Sequence, residues 1–150
     1  MQQLLTIAEI SVTYNPKSAD SPIIKSSHEA ANIARHFFPE ETIALQERLI
    51  VILLNTCNRV TGVYPVSVGG INATSADVRL ILSVALKAVA TSIIIVHNHP
   101  SGNMKPSNPD ITLTKKIKEG AELMDIKVID HVILSPDKDV YYSFADMGLI

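Results

Sequence analysis

Between positions 97 and 110 the chain reads His-Asn-His-Pro-Ser-Gly-Asn-Met-Lys-Pro-Ser-Asn-Pro-Asp. Two imidazoles, a carboxylate and a hydroxyl fall here at a spacing suited to one divalent metal ion. The preceding run, Ser92-Ile93-Ile94-Ile95-Val96, is apolar and β-branched without alternation, which predicts a buried parallel strand. Extended backbone through 97–99 points His97 and His99 to the same side, with Cα atoms roughly 6–7 Å apart. Rings at that separation can converge on one ion with Zn–N distances of about 2.0–2.1 Å. Asp110, at the start of the next helix, returns as a third ligand. Three protein ligands leave one tetrahedral position open, the arrangement of a catalytic zinc site.

The elements around this stretch form a layered pattern. Residues 5–14 are a candidate strand, followed by a loop to Ser26. Ser26 and Glu29 fit a capping box, and Ala30, Ile33, Ala34, Phe37 and Phe38 make the apolar face of a helix that Pro39 ends. A short second helix is expected from Glu40 to Gln46. Leu49–Leu54 reads as a central strand and Val60–Val68 as its hairpin partner, with Gly69-Gly70 breaking the chain. Val78, Ile81, Leu82, Ala85, Leu86 and Val89 recur at helical spacing. A further helix is expected over about 108–124, with Ile117, Ala121 and Met124 facing inward. Lys127–Leu134 and, after Asp137-Lys138-Asp139, Val140–Tyr142 are the closing strands. The expected fold class is α/β, a mixed β-sheet flanked by helices.

Composition narrows the function. At 150 residues and 47% hydrophobic, the chain is read as one domain, 1–150, in which 1–25 is an N-terminal strand and loop extension. A net charge of −2 supplies no overall attraction to nucleic acid or anionic membranes. Lys115, Lys116 and Lys118 fit a solvated helix face. The single cysteine, Cys57, excludes an internal disulfide framework and a four-cysteine zinc module, and it falls in a turn between two strands. No signal-peptide pattern and no apolar run of 18 residues is present, so a cytoplasmic location is expected.

His-x-His, seven residues, Ser, two residues and Asp resembles the JAMM metalloprotease motif of the JAB/MPN superfamily. Within that superfamily, His97-Asn98-His99-Pro100-Ser101-Gly102 and Tyr142-Ser143-Phe144-Ala145-Asp146 resemble the bacterial RadC-type proteins, and the likeness covers the chain from about residue 25. The resemblance implies a cytidine-deaminase-like architecture, a Zn2+ cofactor held by His97, His99 and Asp110, and hydrolysis of a peptide or isopeptide bond in a peptide or protein substrate. It also implies an upstream glutamate ahead of the first core strand. Glu47, just before Arg48-Leu49-Ile50-Val51, stands at that place. The chemistry asks for such a group independently, because an activated water needs a carboxylate to take its proton and deliver it to the leaving amine. Glu40 and Glu41 are the nearest competitors.

By resemblance, Ser107 helps stabilise the developing oxyanion or binds the metal-bound water. Read locally, it is the N-cap of a helix with Asp110 at the third position, and since Pro109 lacks an N–H the hydroxyl would reach the Asp110 amide. His131, beside Asp130 on a strand, is either a satisfied core histidine or a partner of the metal ligands. His28 and His36 lie on the first helix, away from the motif. Ser101-Gly102 makes the turn out of the strand. A nucleobase deaminase needs a Pro-Cys-x-x-Cys set that one cysteine cannot supply. Metal-free MPN scaffolds lack the ligands that this chain retains. The alternative function is a DNA-repair-associated or DNA-binding protein of RadC type. Longer members carry an N-terminal helix-hairpin-helix segment that is not in this sequence, which, with the low charge, makes nucleic acid an unlikely partner.

Overall fold

A computed structural model describes residues 8, 10, 11, 13–15, 20–69 and 76–150. The strand expected over 5–14 lies mostly outside the described residues, and positions 8, 10, 11, 13 and 14 belong to no strand. In chain order the elements are α1 (Ser27–Arg35), β1 (Arg48–Leu54), β2 (Val60–Val68), α2 (Val78–Lys87), β3 (Ser92–Asn98), α3 (Asn108–Glu122), β4 (Lys127–Leu134) and β5 (Tyr141–Ser143). The strands form one mixed sheet in the order β2-β1-β3-β4-β5. Only β3 and β4 run parallel, joined by the α3 crossover; the other neighbours are antiparallel. The α/β class read from the sequence is therefore the observed one.

Both faces of the sheet are covered, which explains the unalternating apolar runs of β1 and β3. Ile50, Ile52, Leu54, Ile94 and Val96 face α1, with Ala30, Ala31, Ala34 and Phe38. Leu49, Val51, Leu53, Ile93 and Ile95 face α2 and α3, with Ile81, Ala85, Ile117 and Ala121. The apolar stripes are narrower than periodicity predicts. Leu86, in the last turn of α2, is half exposed, Val89 lies beyond the end of α2 and is mostly exposed, and Met124 lies beyond the end of α3. Phe37 likewise sits past the end of α1 and is exposed, while Phe38 is buried.

Helix α1 starts as its cap predicts. Ser26 Oγ accepts from the Glu29 amide at 3.2 Å, whereas Glu29 reaches back one residue further than a capping box requires, to the Lys25 amide at 2.6 Å. The short helix expected over Glu40–Gln46 is absent. The segment is a series of turns, closed by bonds such as Thr42 N–H to Pro39 O and Leu45 N–H to Thr42 O. Its other carbonyls are claimed elsewhere: Asn98 Nδ2 donates to Ile43 O at 2.7 Å and Gln46 O at 3.0 Å.

Candidate metal centre

The antiparallel pairing of β1 with β3 assembles the site. Leu49 lies opposite His97. Glu47 lies just before β1 and His99 just after β3, so the same antiparallel course brings them within electrostatic reach of each other. Side-chain alternation puts Glu47, Leu49, His97 and His99 on the face covered by α2 and α3. His99 is anchored by its amide, which donates to Leu134 O at 3.0 Å. Gly102 then turns the chain at φ +76°, a left-handed angle that favours glycine, and its amide donates to His99 O. The connection leads to Ser107, where α3 begins.

Ser107 and Asp110 form a complete capping box. Ser107 Oγ accepts from the Asp110 amide at 3.1 Å, and Asp110 Oδ2 accepts from the Ser107 amide at 2.8 Å. That reciprocal pair fixes the Asp110 carboxylate beside the two rings. His97 Nε2 lies 3.0 Å from His99 Nε2 and 3.3 Å from Asp110 Oδ1, and His99 Nε2 lies 3.2 Å from Asp110 Oδ2. A tetrahedral zinc site with arms of about 2.0–2.1 Å has edges of about 3.3–3.4 Å. The two rings meet different oxygens of Asp110, and with one ligand atom from each residue the three lie within 4.8 Å of one another, a group able to hold a metal ion.

Hydrogen positions follow from what each partner can do. His99 Nδ1 lies 2.6 Å from Asn103 O, and a carbonyl can only accept, so Nδ1 carries the proton. The second ring is fixed through a longer chain. Thr114 Oγ1 donates to Asp110 O at 2.7 Å, which leaves it to accept from His131 Nδ1 at 2.5 Å. His131 Nε2 then accepts from His97 Nδ1 at 2.7 Å. Both ligand rings thus hold their protons on the far side when neutral, and each Nε2 turns a lone pair toward Asp110. Three such acceptors so close together favour positive charge between them, either a proton on one ring or a metal ion.

The electrostatics follow the same geometry. The hydrogen bond with Asp110 raises the pKa of His99 against the opposing effect of burial, helped by Asn103 O and by the charges of Asp110 and Glu47. Burial works against ionisation of Asp110, yet His97, His99 and the Ser107 amide hold its carboxyl well below the usual carboxylate range. His131 is fully buried, and burial, reinforced by the neighbouring His97, pushes its pKa well below the ordinary histidine value. Its ring stacks on Phe144 with centroids 4.5 Å apart and planes 20° apart. Asp130 secures that partner by accepting from Ser143 Oγ and from the Ala145 and His131 amides.

His97, His99, Asp110 and Ser107 thus come together at one point, and Glu47 stands within electrostatic reach of His99. Glu40 instead pairs with Lys138, Glu41 is exposed, and His28 and His36 are exposed on α1 and the turn after it. Lys115 pairs with Glu119 on the solvent side of α3, and Cys57 is exposed in its turn. His131 satisfies both of its sequence readings, as a buried core residue and as a partner of His97. Thr114 and Asn103 have no counterpart in the sequence reading. Thr114 had a detectable signal, since it lies one helical turn after Asp110 on the same face.

Residues 24–149 match the family model described as RadC-like JAB domain. The chain belongs to that family. It is 39% identical to a UPF0758 protein of Porphyromonas gingivalis over 133 residues, covering 89% of this chain and 58% of that protein. For a UPF0758 protein of Flavobacterium johnsoniae the identity is 41%, over 84% of this chain and 53% of the relative. A third, from Clostridium kluyveri, is 36% identical over 99% of this chain and 63% of its own length. The chain spans somewhat more than half the length of these relatives. As a RadC-like JAB domain it falls in a JAMM-related superfamily that includes peptidases. Among the described residues, no helix is long and apolar enough to cross a membrane.

Proposed function

We propose that this RadC-like JAB domain is a zinc-dependent peptidase or isopeptidase. The observation that carries the proposal is the convergence of His97 Nε2, His99 Nε2 and an Asp110 oxygen, with both ring protons engaged on the opposite side. Bound there, zinc would supply Lewis-acid activation of a water, whose pKa such sites lower to about 7. His97, His99 and Asp110 would hold the ion, and the capping box keeps the carboxylate from turning away. Glu47 takes the proton of the attacking water and delivers it to the leaving amine, as general base and then general acid. Ser107 keeps its O–H available while its oxygen caps α3, and donates it to the carbonyl oxygen as charge develops.

Purified protein is expected to bind one zinc per chain, with binding lost in His97→Ala. Cleavage of peptide and isopeptide-linked substrates should stop with a chelator and return with zinc. Failure to take up zinc on titration would remove the metal site from the proposal. Stoichiometric zinc without cleavage of any amide substrate would remove the peptidase assignment.

A further inference from the structure

Asn98, between the two metal-ligating histidines, projects to the opposite face of β3. It is completely buried, on the side of the sheet where Val96, Leu134 and Ile50 pack against Phe38 and Ile43. A carboxamide in such surroundings must have its hydrogen bonds made within the protein. Asn98 directs both amide hydrogens to the carbonyls of Ile43 and Gln46, and its Oδ1 accepts from the Arg48 amide at 2.7 Å. The orientation is unambiguous. Carbonyls only accept and an amide only donates, so a flipped carboxamide would lose all three bonds.

Two of those bonds fall on Gln46 and Arg48, the residues flanking Glu47. We propose that Asn98 is the positioning residue that sets where the Glu47 carboxylate stands relative to His97, His99 and Asp110. The inference rests on the proposed role of Glu47 as base. The residue that separates the two ligands in sequence also grips the backbone on either side of the base. The distance from base to ligands is therefore spanned by one rigid side chain rather than by the loop. A third anchor comes from the other neighbouring strand, where the Gly69 amide donates to Glu47 O at 2.8 Å. Removing the Asn98 carboxamide leaves that anchor and the metal ligands in place while freeing the chain at Gln46 and Arg48. An asparagine makes this link where leucine or alanine would not, because only a carboxamide offers two donors and an acceptor in one plane.

The test combines amide hydrogen exchange with a double-mutant cycle. In wild type, the Arg48 amide should exchange slowly; exchange at the rate of a free peptide would overturn the proposal without any variant. In Asn98→Ala, Arg48 should lose protection while zinc affinity stays at the wild-type value. The kcat should fall by about 10²-fold, the scale of a 1 Å misplacement of a catalytic group. Added to Glu47→Gln, Asn98→Ala should cost nothing further, because a positioning residue has no effect once its base is gone. An equal loss in both backgrounds, or a loss of zinc affinity that accounts for the lost activity, would overturn it. Should Asn98→Ala fail to fold, Asn98→Leu nearly keeps the volume and removes all three bonds without adding a charge. It should then lower kcat in the wild-type background and not beside Glu47→Gln. If wild type binds zinc and cleaves no amide, the peptidase reading fails by itself. Coordinates of Asn98→Ala then decide this inference: a displaced Glu47 carboxylate upholds it and an unmoved one refutes it.

Discussion

Strand β3 is entered and left by two unusual turns that differ in kind. At its amino end, Val89 sits at φ +53° just after α2, a left-handed angle that costs a β-branched residue roughly 1–2 kcal/mol. The conformation is imposed by backbone bonds that close the helix, Val89 N–H to Leu86 O and Ala90 N–H to Ala85 O, while the side chain is 68% exposed. At the carboxyl end the left-handed position is Gly102, which bears it without strain. What is unusual there is the concentration of buried polar groups, His97, Asn98, Thr114 and His131, each bonded to a partner from another element or from the next turn of its own. Backbone strain at one end accompanies no chemistry. Relaxed backbone at the other carries a ligand set whose side chains hold one another. In this protein a buried polar network, rather than an outlying backbone angle, marks the site.

The comparison breaks most readily at Asp110, which serves the helix and the proposed ion together. Asp110→Ala should abolish zinc binding. It should also lower the stability of the metal-free protein by about 0.5–2 kcal/mol, the scale of a lost helix cap. His97→Ala, measured by the same metal analysis and urea titration, should lose the zinc while keeping the cap. If Asp110→Ala leaves the metal-free protein as stable as wild type, the double duty is wrong. Glu47→Gln comes next: zinc content should hold while turnover falls by about 10²–10⁴-fold. Full activity in that variant would move the base to another carboxylate. Thr114→Val cuts the chain of bonds that sets the His97 proton, and should weaken zinc binding by about 10–100-fold in a chelator competition. Unchanged affinity would reduce the Thr114–His131 pair to packing.

The smallest effect belongs to the other end of the strand. Val89→Gly relieves a left-handed valine at some cost in chain entropy, so it should stabilise the protein by at most about 1 kcal/mol. Zinc affinity should not move. A change in metal binding here would mean that the two ends of β3 communicate, and the contrast between them would no longer stand.

The sequence foretold what depends on local pattern. Strands β1, β2 and β4 and the start of α3 follow from apolar runs and from Ser107-Asn108-Pro109-Asp110, since each needs only neighbouring residues to declare itself. The grouping of His97 with His99 is equally local, a consequence of strand alternation. Glu40–Gln46 reads as a helix from its local pattern, whereas the observed turns are tied to Asn98, a side chain some fifty residues away. His131 stayed ambiguous because its partners come from β3 and α3, and neither spacing nor composition shows which strands become neighbours. Val89 gave no signal at all, since valine is the residue least expected in a left-handed turn.

The order in which these parts can assemble has a consequence of its own. His97, His99 and Asp110 lie within one strand, one turn and the first turn of one helix, so the three candidate ligands are neighbours in sequence. Glu47 arrives when β1 pairs with β3, and His131 when β4 joins the sheet, both contacts between distant parts of the chain. Such pairings form late, because loop closure must precede any gain from them. On the proposed function, the ion's ligands are therefore local in sequence while the base depends on a strand pairing, so a separation of β1 from β3 would end hydrolysis without removing a ligand.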